Sequence, residues 1–333
     1  MTSEGPTLPP GVIPPVCTPL TPGRELDVPS LERLCGFLLD AGVAGLFVSG
    51  STGEAAYLPD EVRLAVLRTA VGVTAGQVPV YAGVIDTSTP RVIAQARAAA
   101  THRASAVVAT APFFSPTDAT EFGCHFRAIH AAVDLPLIAY DIPNAVGAAL
   151  PAELVGELAR DGVLAAVKDS SGDLDALREL RDAAPDLRLY SGSETLADVS
   201  LQLGADGLVP GLGNVDPYGY LRLYRAATAG DGERAAAEQQ RLRRLFGIIG
   251  IGDRHRMGRY SAAIGGFKEA LVHRGIIRHG TTSLPMVPLN DPERDAVHRL
   301  LAETGIAQIG SAVRSAAAQR SGPIETFLPR EHA

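Results

Sequence analysis

The sequence predicts an α/β protein: a (β/α)8 barrel of the TIM type followed by a C-terminal helical extension. Three observations predict it. Short apolar or β-branched runs alternate with Ala/Leu-rich stretches of helical spacing eight times between residues 12 and 230. The rhythm stops after Gly230. The 333 residues, 46% of them hydrophobic and 20% charged, suffice for one large barrel with an appendage. A doubly wound open sheet is the runner-up, but it normally needs fewer strands.

Strands are expected at Val12 to Thr18, Gly45 to Ser49, Val78 to Val84, Ser105 to Ala111, Leu135 to Asp141, Leu164 to Lys168, Leu187 to Ser191 and Asp206 to Pro210. Most of these runs are continuously apolar, as parallel strands buried on both faces must be. Between them, Ser30 to Ala41 carries a stripe of Leu31, Leu34, Leu38 and Leu39, and Pro59 to Thr74 one of Val62, Ala65, Val66 and Thr69. Pro59, Pro90, Pro151 and Pro217 fall near first helical turns, where a missing N–H costs nothing. Beyond Gly230, Glu233 to Phe246, Ser261 to Arg274 and Asp291 to Glu303 read as helices with no strand between them. The predicted organisation is therefore a barrel over 1–230, a helical extension over 231–310 and a mobile tail over 311–333.

Composition narrows the function. A net charge of −7 argues against a nucleic-acid partner. No run of some 18 apolar residues is present, so no membrane span is expected, and Met1 to Gly11 lacks the basic and apolar regions of a secretory signal. The three cysteines, Cys17, Cys35 and Cys124, form neither a disulfide framework nor a zinc pattern, so reduced thiols in a cytoplasmic protein are expected. The eight histidines show no HExxH spacing, and no GxGxxG turn, Walker loop or GxSxG elbow occurs; neither a metal nor an organic cofactor is called for. Of the 30 Lys and Arg residues, only Lys168 and Lys268 are lysines.

In such a barrel the working residues sit at the C-terminal strand ends. These positions supply Gly50-Ser51-Thr52-Gly53-Glu54, Pro112-Phe113-Phe114, Tyr140-Asp141, Lys168-Asp169, Gly192-Ser193-Glu194 and Gly211. Lys168 closes the apolar run from Val163 to Val167. An amine projecting there among low-dielectric side chains is desolvated, which favours its neutral, carbonyl-attacking form. The alternative for this residue is a strand-end lysine that snorkels to water. Tyr140 could exchange protons beside it or simply be a buried phenol with a satisfied hydroxyl. The Gly50 to Gly53 turn could offer consecutive N–H groups to a carboxylate or phosphate, or be only a turn.

Together, Gly50-Ser51-Thr52-Gly53-Glu54, Tyr140-Asp141-Ile142-Pro143 and Val167-Lys168-Asp169-Ser170-Ser171-Gly172-Asp173 resemble the signature of the dihydrodipicolinate synthase / N-acetylneuraminate lyase superfamily, from about Ile13 to about Leu289. The resemblance implies a pyruvate-dependent class I lyase or aldolase, a homotetramer built as a dimer of dimers. It implies that Lys168 forms a Schiff base with pyruvate or another 2-oxo acid, that Tyr140 moves protons with the Ser51 hydroxyl as relay, and that Ser51 and Thr52 N–H groups hold the carboxylate. Gly192, Glu194, Gly211 and Phe114 fall where the family binds the second substrate.

The sequence also departs from the pattern. Ala145 stands where dihydrodipicolinate synthases carry an acceptor-binding arginine, and Phe113-Phe114 replace a tyrosine pair, one member of which crosses a subunit interface. Ser51 in place of threonine resembles the sugar-acid lyase branch. Yet Thr195 and Gly211 replace an acid and a serine that grip sialic acid. The expectation is a lyase that cleaves or forms a 4-hydroxy-2-oxo acid, such as a 2-keto-3-deoxy sugar acid, from pyruvate and an aldehyde. The alternatives are a 2-keto-3-deoxy acid dehydratase working through the same imine, a 4-hydroxy-tetrahydrodipicolinate synthase with an atypical site, and a non-catalytic barrel that binds an oxo acid as a regulator.

Overall fold

The computed structural model describes residues 8–308; the tail expected over 311–333 lies outside the described residues. Eight parallel strands appear in the predicted order: β1 (Gly11–Val12), β2 (Leu46–Val48), β3 (Val80–Gly83), β4 (Ala106–Thr110), β5 (Leu137–Asp141), β6 (Ala166–Asp169), β7 (Arg188–Ser191) and β8 (Gly207–Leu208). They pair in the order β1-β8-β7-β6-β5-β4-β3-β2. The segment after β1 returns to β2, where Val16 N–H donates to Phe47 O (2.8 Å) and Phe47 N–H to Pro14 O (3.1 Å), so the sheet curls round on itself. The first strand is two residues long rather than the seven read from its apolar run. Pro14 and Pro15 follow it, and neither can donate to a ladder.

Helices cover the outer face, and several of them start at short polar caps. Asp27 accepts Ser30 N–H (3.2 Å) ahead of helix Val28–Ala41, and Asp118 and Glu121 form a reciprocal capping box on Ala119–Ala132. Asp173, Asp216 and Asp231 cap three more, each a contribution of about 1 kcal/mol. The three C-terminal helices, Gly232–Phe246, Arg259–His273 and Asp291–Glu303, lie within a residue or two of their predicted bounds.

Alternation along the strands divides the core in two. One set of side chains meets the helices. The other points inward, with Phe47, Tyr81, Val108, Ile138, Tyr140, Tyr190 and Val209 filling the barrel. The interior is packed rather than open: beneath Lys168 remains a cavity of ≈ 10 Å³, about one water's room. Two buried groups staple the strand ends from outside. His125 lies between Thr110 O (3.1 Å) and Thr89 Oγ1 (2.9 Å), and burial pushes its imidazole down to about 4. Asp141 accepts Leu150 N–H (3.1 Å), and burial, with Asp169 nearby, pushes its carboxyl up to about 6.

Candidate active site

β5 and β6 run in register with Tyr140 beside Lys168, and Lys168 is beside Tyr190 on β7. Strand alternation turns all three into the barrel, because Ile138, Ala166 and Tyr190 share the inward parity. Lys168 is 5% exposed. Its Nζ lies 3.8 Å from the centre of the Tyr140 ring and 5.1 Å from that of Phe47. Among the described residues no carboxylate ion-pairs with it. The stem needs a glycine above it: a Cβ on Gly192 would fall 3.1 Å from Lys168 Cε and 2.0 Å from Ser170 Oγ.

Across the mouth, the Tyr140 hydroxyl meets Ser51 Oγ at 3.4 Å. The loop carrying Ser51 leaves β2 through Ser49 (φ 55°) and ends at Glu54 (φ 62°), two non-glycine residues in left-handed backbone. Gly50 cannot carry a side chain, since a Cβ would lie 2.6 Å from the Phe47 ring. Thr18 Oγ1 donates to Gly53 O (2.8 Å), and Glu54 N–H to Ser51 O (2.9 Å). Among the described residues the N–H groups of Ser51 and Thr52 have no acceptor. Two unspent donors beside an amine and a phenol can receive an anionic group whose neighbouring carbonyl faces the amine.

The far side of the mouth is acidic. Glu194 Oε1 accepts N–H groups from Gly211 (2.9 Å) and Leu212 (3.3 Å). Residue 194 keeps intermediate exposure, but its carboxyl is sunk among protein atoms. That burial pushes the carboxyl up to about 7, against the two N–H bonds and the Lys168 amine, which pull it down. A Cβ on Gly211 would lie 3.0 Å from both Glu194 Oε1 and Thr52 Oγ1, so these groups close round the glycine.

Of the residues singled out in the sequence, Lys168, Tyr140, Ser51, Thr52, Gly192, Glu194 and Gly211 gather at this mouth. Phe114 does not. It is 93% exposed with φ 81°, and its own barrel offers it nothing to line. Sequence reasoning missed Tyr260, whose hydroxyl donates to Ser51 O, and left Lys268 without a role. Lys268 forms a fully buried ion pair with Glu54, the last residue of the loop. The rarity of lysine in this chain was its only signal; Tyr260 had none.

A parallel barrel with a lysine at the end of β6, a tyrosine beside it and a donor loop opposite is the frame of a barrel enzyme whose working groups sit at the C-terminal strand ends. The comparison with protein families agrees: residues 8–304 match the dihydrodipicolinate synthetase family, and the chain belongs to it. It is an enzyme of this lyase family. It is 37% identical over 296 residues to an uncharacterised DapA-like lyase of Halobacterium salinarum, covering 89% of this chain and 94% of the relative. It is 32% identical over 297 residues to the 4-hydroxy-tetrahydrodipicolinate synthase of Methylococcus capsulatus, covering 89% and 99%. Among solved structures, a prophage protein of E. coli K12 from the dihydrodipicolinic acid synthase family, in complex with pyruvate, superposes with a TM-score of 0.84 at 28% identity, covering 90% of this chain and 100% of that one.

Proposed function

We propose that the protein is a Schiff-base lyase that cleaves or forms a 4-hydroxy-2-oxo acid, with pyruvate as one partner. One observation carries this reading: the Lys168 amine lies on the ring of Tyr140, whose hydroxyl meets Ser51, and among the described residues no carboxylate pairs with that amine and no acceptor takes the Ser51 and Thr52 N–H groups. In this reading the loop holds the pyruvate carboxylate. The amine attacks the keto carbon, water leaves, and the protonated imine accepts the electron pair of the bond being broken at C3–C4, or stabilises the C3 carbanion that attacks an aldehyde. Tyr140, relayed by Ser51 Oγ, takes the proton from the C4 hydroxyl in cleavage and returns it in synthesis. No metal or organic cofactor enters the scheme.

The second substrate meets Glu194, Gly211 and Thr52. Ala145, exposed at the rim, offers no cation for an acceptor carboxylate, so an aldehyde bearing hydroxyls fits better than aspartate semialdehyde. The curated relatives named as 4-hydroxy-tetrahydrodipicolinate synthases support the second reading, an atypical member of that activity. Phe114 acts in an oligomer: a ring 93% exposed is covered when it seats at a neighbouring subunit's mouth, as a homotetramer built from dimers would place it. Cytoplasmic residence fits Cys17, Cys35 and Cys124, all free thiols.

The test is to incubate the protein with pyruvate, reduce with borohydride and map the adduct by mass spectrometry. A pyruvate adduct on Lys168 is expected, and its absence sinks the proposal. Aldehyde-dependent pyruvate consumption then separates an aldolase from a dehydratase, which would instead eliminate water from a 2-keto-3-deoxy acid.

A further inference from the structure

Lys268 takes no part in the chemistry proposed for Lys168, yet it is the more deeply buried, at 0% exposure. It lies on helix Arg259–His273, more than two hundred residues beyond the loop at 50–54. Its Nζ is ion-paired with Glu54 and donates to Thr281 O at 2.6 Å. The other Glu54 oxygen accepts Ser283 N–H at 2.7 Å. Tyr260, on the same helix, donates its hydroxyl to Ser51 O. The helix therefore grips the loop at two points, the side chain of Glu54 and the carbonyl of Ser51.

That second grip has a geometric consequence. Ser51 C=O and Thr52 N–H belong to one planar trans peptide and point in opposite directions. Holding the carbonyl towards the helix turns the N–H away from it, and this N–H has no protein acceptor among the described residues. The ends of the loop need such restraint, because Ser49 and Glu54 hold a backbone conformation that L residues keep only when their surroundings impose it.

We propose that Lys268, Glu54 and Tyr260 are positioning residues. Through them the C-terminal helix aims the Thr52 N–H, and so sets the affinity for a substrate carboxylate without touching it. The inference rests on the reading above, in which this loop receives the carboxylate of a 2-oxo acid. A merely structural tie would lower thermal stability and leave substrate saturation alone.

Two full-length variants separate these. Tyr260→Phe removes one hydroxyl and keeps the ring; Glu54→Gln with Lys268→Met removes both charges together, leaving no lone buried ion. Borohydride trapping on Lys168 is measured against pyruvate concentration, and hydrogen exchange is followed in peptides spanning 50–54. We expect the half-saturating pyruvate concentration to rise about ten-fold in Tyr260→Phe and further in the double variant, with maximal trapping within two-fold of wild type. Exchange across 50–54 should accelerate, while β5 and β6 peptides stay unchanged. Unaltered half-saturation in a folded variant overturns the inference, and so does unaltered exchange. Should the double variant not fold, Tyr260→Phe decides. A wild-type protein that gives no adduct counts against the Schiff-base reading, and loop exchange alone then decides this one.

Discussion

The chain buries two lysines on either side of one loop, and they have opposite surroundings. Lys268 is enclosed by a carboxylate and a carbonyl, so its donors are committed and its place is set by charge. Lys168 lies on the faces of Tyr140 and Phe47 and ion-pairs with no carboxylate among the described residues. An amine tied to a carboxylate and a carbonyl can anchor a loop but is walled off from a ligand. An amine flanked by ring faces leaves a side on which a carbonyl carbon can approach. Burial alone therefore does not tell a nucleophile from a strut; the partner of the nitrogen does.

Exchanging the chemistry of either lysine tests this contrast. The largest effect is expected from Lys168→Arg: roughly a thousand-fold or greater loss of turnover and no borohydride adduct, because guanidinium stays protonated. A labelled, active Lys168→Arg protein would break the comparison at its first term. Lys268→Met leaves the nucleophile in place and should lower stability as well as pyruvate affinity. It strands the Glu54 carboxylate, at a cost of about 3–5 kcal/mol, which calorimetry would read as a melting temperature lowered by roughly 10 °C. Adding Glu54→Gln should recover most of that loss. If Lys268→Met melts like the wild type, the pair is no strut.

Tyr140→Phe keeps the ring under the amine and removes only the phenol. The adduct on Lys168 should persist while turnover falls about a hundred-fold. Loss of the adduct would mean that the hydroxyl, not the ring face, supports the amine. The smallest effect concerns Glu194. With its carboxyl pushed up to about 7, acceptor binding that needs the ionised form should make kcat/KM rise with pH through that value. Glu194→Gln should flatten this limb and lower the plateau about ten-fold. The stability effect has the opposite sense. A raised carboxyl pKa favours the folded state below the ordinary value near 4.5 and loses that contribution as pH climbs to about 7. Urea titrations should thus show Glu194→Gln matching wild type in acid and exceeding it above neutrality.

Much of the site was legible because strand ends can be read from the sequence. An apolar run that stops at a polar residue marks the mouth of a parallel barrel, and Lys168, Tyr140 and Glu194 were all found this way. The first strand was overread, because hydrophobicity reports burial and not ladder pairing, and Pro14 and Pro15 are buried without donating. The sequence places Phe114 just after β4 but does not say which way it faces; its backbone is left-handed and its ring exposed.

By itself the sequence determined the eightfold βα rhythm, the helices at the C-terminus and the cluster of an amine, a phenol and hydroxyls at one end of the barrel. These follow from periodicity and capping, which act over a few residues. Only the tertiary structure decided what each nitrogen faces: Lys268 against Glu54, Tyr260 on the Ser51 carbonyl, Glu194 folded round Gly211. Those contacts join residues up to 229 apart in the chain, as Ser283 and Glu54 are, so no local pattern encodes them. They exist because closing the barrel and laying a helix across its mouth bury charges and carbonyls that must find partners.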